Sequence, residues 1–280
     1  MSDDLTLTPA HLSAYTRFLQ LQERAQSTVD KYLRDVRSFA VWAAGRPVTQ
    51  DLAAAWREHL LEWGCAPVTV NAKLSALNGL FRCLGWEECR VKFLRLQRRA
   101  FRDRGRELTR GEYRRLLTAA GEQGRLALLM ETICATGIRV SELRFFTVEA
   151  VRAGRAEVCN KGKSRTVFLP GKLQKVLLKY VKAQKIAAGP VFVTRTGRPL
   201  DRSNIWSDMK KLCQAAHVAE SKVFPHNLRH LFARTYYGLE KDIVRLADIL
   251  GHSSINTTRI YTMESGRTHR RQLERMQLVI

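Results

Sequence analysis

Hydrophobic residues in the first third of the chain recur every three or four positions, which is the spacing of an α-helix with one buried face. In the clearest segment Val29, Leu33 and Val36 share a face, while charged residues occupy the other faces. The segments with this pattern are 8–20, 27–43, 52–63 and 67–84. We therefore predict a small all-helical domain over residues 1–96.

This pattern stops at a strongly basic segment. Residues 97–106 contain arginine at half of their positions and have no apolar period. Such a composition is typical of a solvated linker, and its charge favours a path along a phosphate backbone. Arg98, Arg99 and Arg102 are the predicted phosphate contacts of this linker.

Beyond the linker, helical periods return and predict a second domain over residues 107–280, with a C-terminal tail from residue 262. Thr109 followed by Glu112 is a capping-box pattern, which predicts the start of a helix. A second apolar helix, 126–135, precedes a glycine. Most of this domain is therefore expected to be helical.

A short hairpin interrupts the helices of the second domain. Residues 155–160 and 166–169 alternate between apolar and polar side chains, and Lys161–Ser164 supplies a turn with glycine. We add a third short strand at 191–193 and a helix capped by Ser203. The predicted fold class is mainly α: an all-helical domain, followed by an α+β domain with a small antiparallel sheet.

The charge balance indicates what the protein binds. The chain has 48 Lys and Arg against 26 Asp and Glu, which gives a formal net charge of +22. An excess of this size favours a polyanionic partner, above all nucleic acid. The alternative is a basic surface that binds nothing.

The cysteines and the hydropathy pattern indicate the compartment. Six cysteines are scattered without a C-x-x-C pair, which predicts small buried residues in a reducing environment. No apolar run approaches the length of a membrane span, and the acidic start of the chain does not resemble a signal peptide. We expect a cytoplasmic protein without membrane contact.

The last quarter of the chain concentrates side chains that can grip and attack an anionic ester. His226, Arg229 and His230 lie at i, i+3 and i+4, so a helix presents all three on one face. His252 and Tyr261 follow them. Imidazole, guanidinium and phenol groups together predict chemistry on a phosphate ester.

A zinc site is the alternative for the first histidine pair. His226 and His230 have the H-x-x-x-H spacing of zinc metalloproteases. Asn227, however, stands where those enzymes need a glutamate. We therefore predict no zinc site here, and we expect no metal and no other cofactor.

Further candidates lie upstream. Arg139 follows Gly137 at a predicted helix end, and its apolar neighbours hold it partly buried, which is costly unless it meets an anion. Glu142 either orients Arg139 or forms a purely structural ion pair with it. Lys161 and Lys163 share the hairpin turn, where each, by itself, is most simply a solvated lysine.

Five short motifs follow one another along the second domain. They are Ala-Thr-Gly-Ile-Arg139-Val-Ser-Glu-Leu, Asn-Lys161-Gly-Lys-Ser-Arg, Pro-His226-Asn-Leu-Arg229-His230, Leu-Gly-His252-Ser-Ser and Thr-Thr-Arg-Ile-Tyr261-Thr. In this order they resemble the tyrosine recombinases, the phage integrase family. The first domain is more loosely similar to the core-binding domain of that family, through motifs around Tyr32 and Thr69.

The resemblance implies that Tyr261 attacks a DNA phosphodiester and becomes joined to the 3′-phosphate, without metal or ATP. The other implied roles are phosphate binding by Arg139, Arg229 and His252, proton acceptance by His226, general acid catalysis by Lys161, and support by Glu142 and His230. Asn160 stands where many relatives have glycine, so the choice between Lys161 and Lys163 as the general acid stays open.

The resemblance also implies the partners. We expect double-stranded DNA with core recombination sites, and assembly into a tetramer on DNA through the C-terminal tail. Further predicted DNA contacts are Thr69, Asn71, Lys73, Asn204, Lys210 and Lys211. The chain starts directly at the core-binding helices, which predicts a simple recombinase without an arm-binding domain.

The expected reaction is integration or excision of a mobile element. The alternatives are dimer resolution of the Xer type, a type IB topoisomerase, and a DNA-binding regulator without catalysis.

Overall fold

The computed structural model describes residues 5–97, 104–121, 124–160, 162–194, 196–261 and 266–276. The chain divides into two compact units, Met1–Arg98 and Arg99–Ile280. Helices dominate both units, and the second also contains a small antiparallel sheet, which confirms the predicted fold class.

Helices build the first unit around an aromatic core. They are α1 Pro9–Leu21, α2 Gln26–Ala43, α3 Gln50–Glu62 and α4 Pro67–Leu84, followed by a 3-10 turn at Glu87–Cys89. Phe39 on α2 and Phe81 on α4 are fully buried and meet edge to face, with ring centroids 6.4 Å apart. Tyr15 on α1 donates a hydrogen bond to the carbonyl oxygen of Ala76 on α4 at 2.9 Å. Helix α4 is therefore the central element of this unit.

Two asparagines on α4 hydrogen-bond to the segment that follows the helical bundle. Asn71 Nδ2 donates to the carbonyl oxygen of Leu94 at 2.9 Å, and the Leu94 amide donates back to Oδ1 at 2.8 Å. Asn78, one heptad further along α4, makes the same pair of bonds to Val91, at 2.9 and 3.1 Å. Each side-chain amide satisfies both the backbone N–H and the backbone C=O of one residue. These asparagines therefore stabilise the fold.

The second unit packs helices around α6. Its elements are α5 Arg110–Ala119, α6 Arg125–Thr136, a 3-10 helix Val140–Phe145, α7 Val148–Ala153, strands β1 Arg155–Asn160 and β2 Lys163–Phe168, α8 Gly171–Ala183, α9 Arg202–Lys211, α10 Pro225–Glu240, α11 Ile243–Leu250, α12 Ile255–Arg259 and α13 Gly266–Met276. Short 3-10 turns occur at Arg104–Arg106 and Glu220–Lys222. The predicted capping box at the start of α5 is confirmed, with Thr109 and Glu112 bonded reciprocally.

A glycine ends α6 where two helices come close. Gly137 has φ +68°, and a Cβ at this position would lie 2.3 Å from a ring carbon of Phe232 on α10. Only glycine allows both the left-handed backbone and this close approach. The end of α6 is thereby held against α10.

The structure corrects the predicted hairpin. The strands pair antiparallel from Arg155 with Phe168 to Asn160 with Lys163, so only two positions of the sequence separate them. Lys163 and Ser164 therefore belong to β2, because the ladder continues to the glycine turn.

Three further sequence predictions are wrong. In the described part of this region, Val193 makes one isolated bridge, to Pro199, and 191–193 forms no third strand. Helix α9 is capped by Asp201, whose carboxylate accepts from two following backbone amides, and Ser203 lies inside the helix. Cys159 is exposed, since its strand position faces away from the core, although Cys89 and Cys213 are buried as expected.

None of the described helices combines the length and the apolar character that crossing a bilayer requires.

We predict that Asn78→Leu destabilises the first unit by about 1–3 kcal/mol, because the buried amide and carbonyl of Val91 lose their partners. Tryptophan fluorescence during denaturation of the full chain measures this, since Trp42, Trp56, Trp63 and Trp86 all lie in this unit. Thr69→Ala, an exposed change on the same helix, is the control. Equal unfolding midpoints for the two variants would contradict the assignment.

Candidate active site

The start of α10 presents the predicted histidines and arginine. Pro225 occupies the first turn, where its missing N–H costs no hydrogen bond. One turn later Arg229 and His230 point into the unit and are buried, while His226 stays exposed. The rings of His226 and His230 meet edge to face, with centroids 4.6 Å apart.

The C-terminal end of α11 holds the site together. The carbonyl oxygens of Ile249, Leu250 and Gly251 are the acceptors that a helix end leaves without an intrahelical partner. Each accepts from a different arginine. The donors are Arg165 Nε at 3.0 Å, Arg229 Nη2 at 2.7 Å and Arg139 Nη2 at 3.2 Å, respectively. Three guanidinium groups thus converge on the negative end of one helix dipole.

Arg229 is the most deeply buried of the three. Its side chain is 1 % exposed, and its Nη1 donates to the carbonyl oxygen of Gly137 at 2.5 Å. Burial, followed by the nearby charge of Arg139, lowers the pKa of Arg229 to about 10, so it remains charged at neutral pH. Its Nε has no hydrogen-bond partner among the described residues. The side chain faces neutral acceptors and the Tyr261 phenol, so an incoming anion would stabilise this buried cation.

Arg139 is held in place by one carboxylate. It caps the 3-10 helix Val140–Phe145, its backbone amide donates to Glu142 Oε2 at 2.8 Å, and its Nη1 donates to Oε1 at 3.0 Å. Arg165 grips the same two oxygens at 2.8 and 2.9 Å. Burial raises the pKa of Glu142, but hydrogen bonds and charge from Arg165 and Arg139 outweigh it and bring the pKa to about 2.

Tyr261 lies inside this arginine cluster. It is 4 % exposed and packs with Leu246 and Leu250. The ring of His230 meets it edge to face at 4.8 Å, and the ring of His252 stacks on it at 6.0 Å. The phenol is therefore in place beside the buried Arg229 of its own chain before any ligand binds.

His252 has a defined tautomer in this arrangement. Its Nε2 lies 2.9 Å from Arg229 Nη2, and its Nδ1 lies 2.8 Å from Thr258 Oγ1. A guanidinium only donates, so Nε2 accepts and the ring proton sits on Nδ1, pointing at the buried threonine. Burial and then the charges of Arg229 and Arg139 lower the pKa of His252 to about 4. The imidazole is neutral at physiological pH.

Comparisons with known proteins identify the family. Residues 106–267 match the phage integrase family, and residues 12–88 match the N-terminal SAM-like domain of phage integrases. This chain belongs to the phage integrase family. It is therefore a tyrosine recombinase, an enzyme of site-specific DNA recombination, as its motifs predicted.

Two relatives and one solved structure show how much of the recombinase is covered. Tyrosine recombinase XerD of Xanthomonas campestris is 32% identical over 268 residues, covering 85% of this chain and 82% of the relative. Tyrosine recombinase XerA of Thermococcus kodakarensis is 28% identical over 280 residues, covering 96% and 95%. A lambda integrase tetramer bound to a Holliday junction has the same fold, with a TM-score of 0.75 at 19% identity over 93% of this chain and 78% of that one.

Of the predicted catalytic and supporting residues, the structure brings together Arg139, Glu142, His226, Arg229, His230, His252 and Tyr261. Lys161 lies outside the described residues. Lys163 is exposed on β2.

Two residues of the site were not predicted from the sequence. Arg165 stood at the end of a quoted motif without a role, and Thr258 stood three positions before the tyrosine. Their distance from their partners along the chain hid them: Arg165 bonds to Glu142, and Thr258 to His252. The fully buried state of Thr258 is visible only in the folded unit.

The predicted DNA contacts of the recombinase fall into three groups. Thr69 and Asn204 are exposed. Four have protein partners: Asn71 binds Leu94, Lys73 lies 3.8 Å from Asp35, Lys210 donates to the Glu220 carbonyl and Lys211 lies 2.9 Å from Asp208. Arg98, Arg99 and Arg102 lie outside the described residues. Their DNA contacts stay predictions.

The residues that the structure describes include no group of three or more His, Cys, Asp or Glu side chains arranged to hold a metal ion.

We predict that His252 of the free recombinase stays neutral, with its proton on Nδ1, until the pH falls to about 4. Because the unfolded chain takes up this proton first, the contribution of His252 to stability is present above its ordinary pKa of 6.5 and is lost as the pH falls towards 4. Nitrogen-15 NMR of the imidazole measures both the tautomer and the pKa.

Thr258→Val is the matched variant, because valine keeps the shape and removes the hydroxyl. We expect the proton to stay on Nδ1, because Arg229 still donates to Nε2. The buried Nδ1–H loses its acceptor, which should lower the free energy of unfolding by about 1–3 kcal/mol. A wild-type imidazole that titrates near pH 6.5, or a proton that moves to Nε2 in the variant, would contradict the geometry.

Proposed function

We propose that Tyr261 attacks a DNA phosphodiester and forms a 3′-phosphotyrosyl bond, releasing the 5′-hydroxyl of the next nucleotide. The observation that carries this is the buried phenol within a cluster of three arginines and a single carboxylate. A pentacoordinate phosphate gains negative charge on its nonbridging oxygens, and preorganised guanidinium groups stabilise that charge more than they stabilise the ground state.

Arg139 and Arg229 are the proposed ligands of these oxygens, with forked hydrogen bonds that lysine does not supply. His252 is the third. Its Nε2 accepts from Arg229 in the free protein, so donation to phosphate requires a proton on Nε2. DNA binding therefore shifts the tautomer of His252 or adds a proton to it.

Two proton transfers complete the proposed reaction. The phenol proton of Tyr261 leaves towards His226, the exposed imidazole that can pass it to water, whereas the nearer His230 is 6% exposed and orients the phenol. The leaving 5′-oxygen takes a proton from Lys161, with Lys163 as the alternative donor. The energy of the ester stays in the phosphotyrosyl bond, so a second DNA end can attack without ATP.

We predict that Tyr261→Phe binds DNA but never becomes attached to it. A pool of nicked duplexes with a randomised core, incubated with wild type and resolved under denaturing conditions, captures the cleavable sequences as covalent complexes. Tyr236→Phe, a partly buried tyrosine on α10, is the matched control and should attach like wild type. Attachment by the Tyr261→Phe variant would exclude this nucleophile.

We propose the following organisation for the whole enzyme. Residues 1–96 bind the core site, the basic linker 97–106 follows the phosphate backbone, and 107–280 catalyses strand transfer. Arg98, Arg99, Arg102, Thr69, Lys73, Asn204, Lys210 and Lys211 are the proposed DNA contacts. Asn71 remains among them, with its amide already bound to Leu94 in the free protein.

Assembly on DNA into a tetramer through the tail is the next proposal. Helix α13 exposes Leu273 and Met276, at i and i+3, to 53% and 55%. An apolar pair of this kind on an otherwise charged helix suits a contact with a neighbouring protomer. The fold shared with the tetrameric lambda integrase supports the same assembly.

We predict that Leu273→Ser with Met276→Ser abolishes synapsis of two DNA sites, while covalent attachment to a single captured site continues. Size-exclusion chromatography with light scattering of the DNA complex distinguishes the two states. Arg271→Ser with Arg275→Ser alters the same helix and is the control for a purely electrostatic effect. Unchanged tetramer formation by the apolar double variant would refute the role of the tail.

Integration or excision of a mobile element in the cytoplasm is the biological role that we propose. Dimer resolution is the second candidate, because both curated relatives described above carry the Xer name and match nearly the whole chain. The captured core sequences decide between them: sites at the ends of an element support the first role, and a single chromosomal site supports the second.

A further inference from the structure

A single carboxylate in the catalytic unit is shared between two arginines. Glu142 Oε1 accepts from Arg139 Nη1 at 3.0 Å and Arg165 Nη1 at 2.9 Å. Oε2 accepts from the Arg139 backbone amide and Arg165 Nη2, both at 2.8 Å. Arg165 therefore holds both oxygens through its guanidinium fork, whereas the side chain of Arg139 uses one N–H.

We propose that Arg165 is a positioning residue for strand transfer: it neutralises Glu142, so that the charge of Arg139 remains available to the scissile phosphate. This inference rests on the function proposed above. The direction of the expected effect follows from the net charge of the group. Glu142 with Arg139 alone is a neutral pair, but with Arg165 added the group carries one net positive charge.

Burial strengthens the effect of the Glu142 carboxylate on Arg139. Glu142 is 1% exposed and Arg165 is 14% exposed, while Arg139, at 29%, faces solvent the most. A carboxylate in such surroundings acts strongly on the nearest cation because little water screens it. If Arg165 were absent, Glu142 would draw Arg139 into a closed pair and reduce its attraction for a phosphate.

Arg165 also anchors strand β2 to the helix end that organises the site. Its Nε donates to the carbonyl oxygen of Ile249 at 3.0 Å. Its side chain lies over Gly251, where an added Cβ would come within 3.0 Å of Cδ and Nη1. The neighbouring carbonyls of Leu250 and Gly251 hold Arg229 and Arg139. A shift of Arg165 would therefore move the acceptors of both proposed phosphate ligands.

The competing explanation is that Arg165 and Glu142 form a purely structural ion pair. Two variants distinguish this structural role from the positioning role. In Arg165→Gln, a buried carboxylate remains and pairs with Arg139 alone. In Arg165→Gln with Glu142→Gln, no carboxylate remains, and the charge of Arg139 is free again. The positioning role predicts that the second change rescues the first, whereas a structural role predicts that each change adds its own loss.

The test uses full-length protein and nicked duplexes captured by wild type as covalent complexes. We expect Arg165→Gln to lower the single-turnover rate of attachment by about 10- to 100-fold, the size of effect that a small misplacement of a catalytic group produces. DNA affinity should change by less than about threefold, because most phosphate contacts lie elsewhere. The double variant should regain at least about tenfold of the lost rate.

Two variants serve as controls. Arg155→Gln removes an exposed arginine from the same hairpin and should match wild type. Arg165→Lys keeps the charge but loses the fork, and should fall between wild type and Arg165→Gln. It keeps the comparison meaningful if thermal melting shows that Arg165→Gln does not fold. A double variant slower than Arg165→Gln, or wild-type rates in both Arg165 variants, would overturn the proposal.

A second measurement does not depend on recombination. Carbon-13 NMR of the Glu142 carboxyl group in the free protein should show a higher pKa in Arg165→Gln than in wild type. The rise should be smaller in Arg165→Lys, which keeps the charge, and absent in Arg155→Gln. An unchanged pKa in Arg165→Gln refutes the neutralising role. If wild type itself fails to attach to any duplex while the pKa shifts as expected, the proposed function fails and the charge relation between Arg165 and Glu142 stands.

Discussion

The catalytic unit depends on three guanidinium groups bound to the C-terminal end of one short helix. The last carbonyl groups of α11 need donors, and Arg139, Arg165 and Arg229 supply them. The negative end of the helix dipole and one ionised carboxylate offset the repulsion among the three charges. This arrangement keeps positive charge in the site of the free protein, where the proposed phosphate would bind.

The position of Tyr261 follows from the same helix end. The ring packs on Leu246 and Leu250 of α11 and lies between two imidazoles. Packing orders the phenol, and α12 with Thr258 orders His252 beside it. The proposed nucleophile, Tyr261, and the proposed phosphate ligands, Arg139, Arg229 and His252, thus belong to one packed cluster. The family membership of the chain and this geometry support the same chemistry independently.

Local patterns along the sequence were sufficient for most of the helices. Helix α4 runs from Pro67 to Leu84, as its periodicity predicted, and Thr109 with Glu112 forms the capping box that starts α5. These features depend on residues within a few positions of one another. The hairpin turn and the cap of α9 were misplaced because more than one local residue could fill each role, and Asp201 rather than Ser203 does so.

The sequence by itself determined the helical fold class, the family and the residue types that meet at the site, because periodicity and motif order are properties of the chain. Only the tertiary structure decided the partners. Arg165 binds Glu142 and Ile249, and Asn71 binds Leu94. The Nδ1 proton of His252 points at a buried Thr258, because Arg229 donates to Nε2. A long polar side chain reaches many acceptors in an unfolded chain, and packing selects one of them by excluding water from the others.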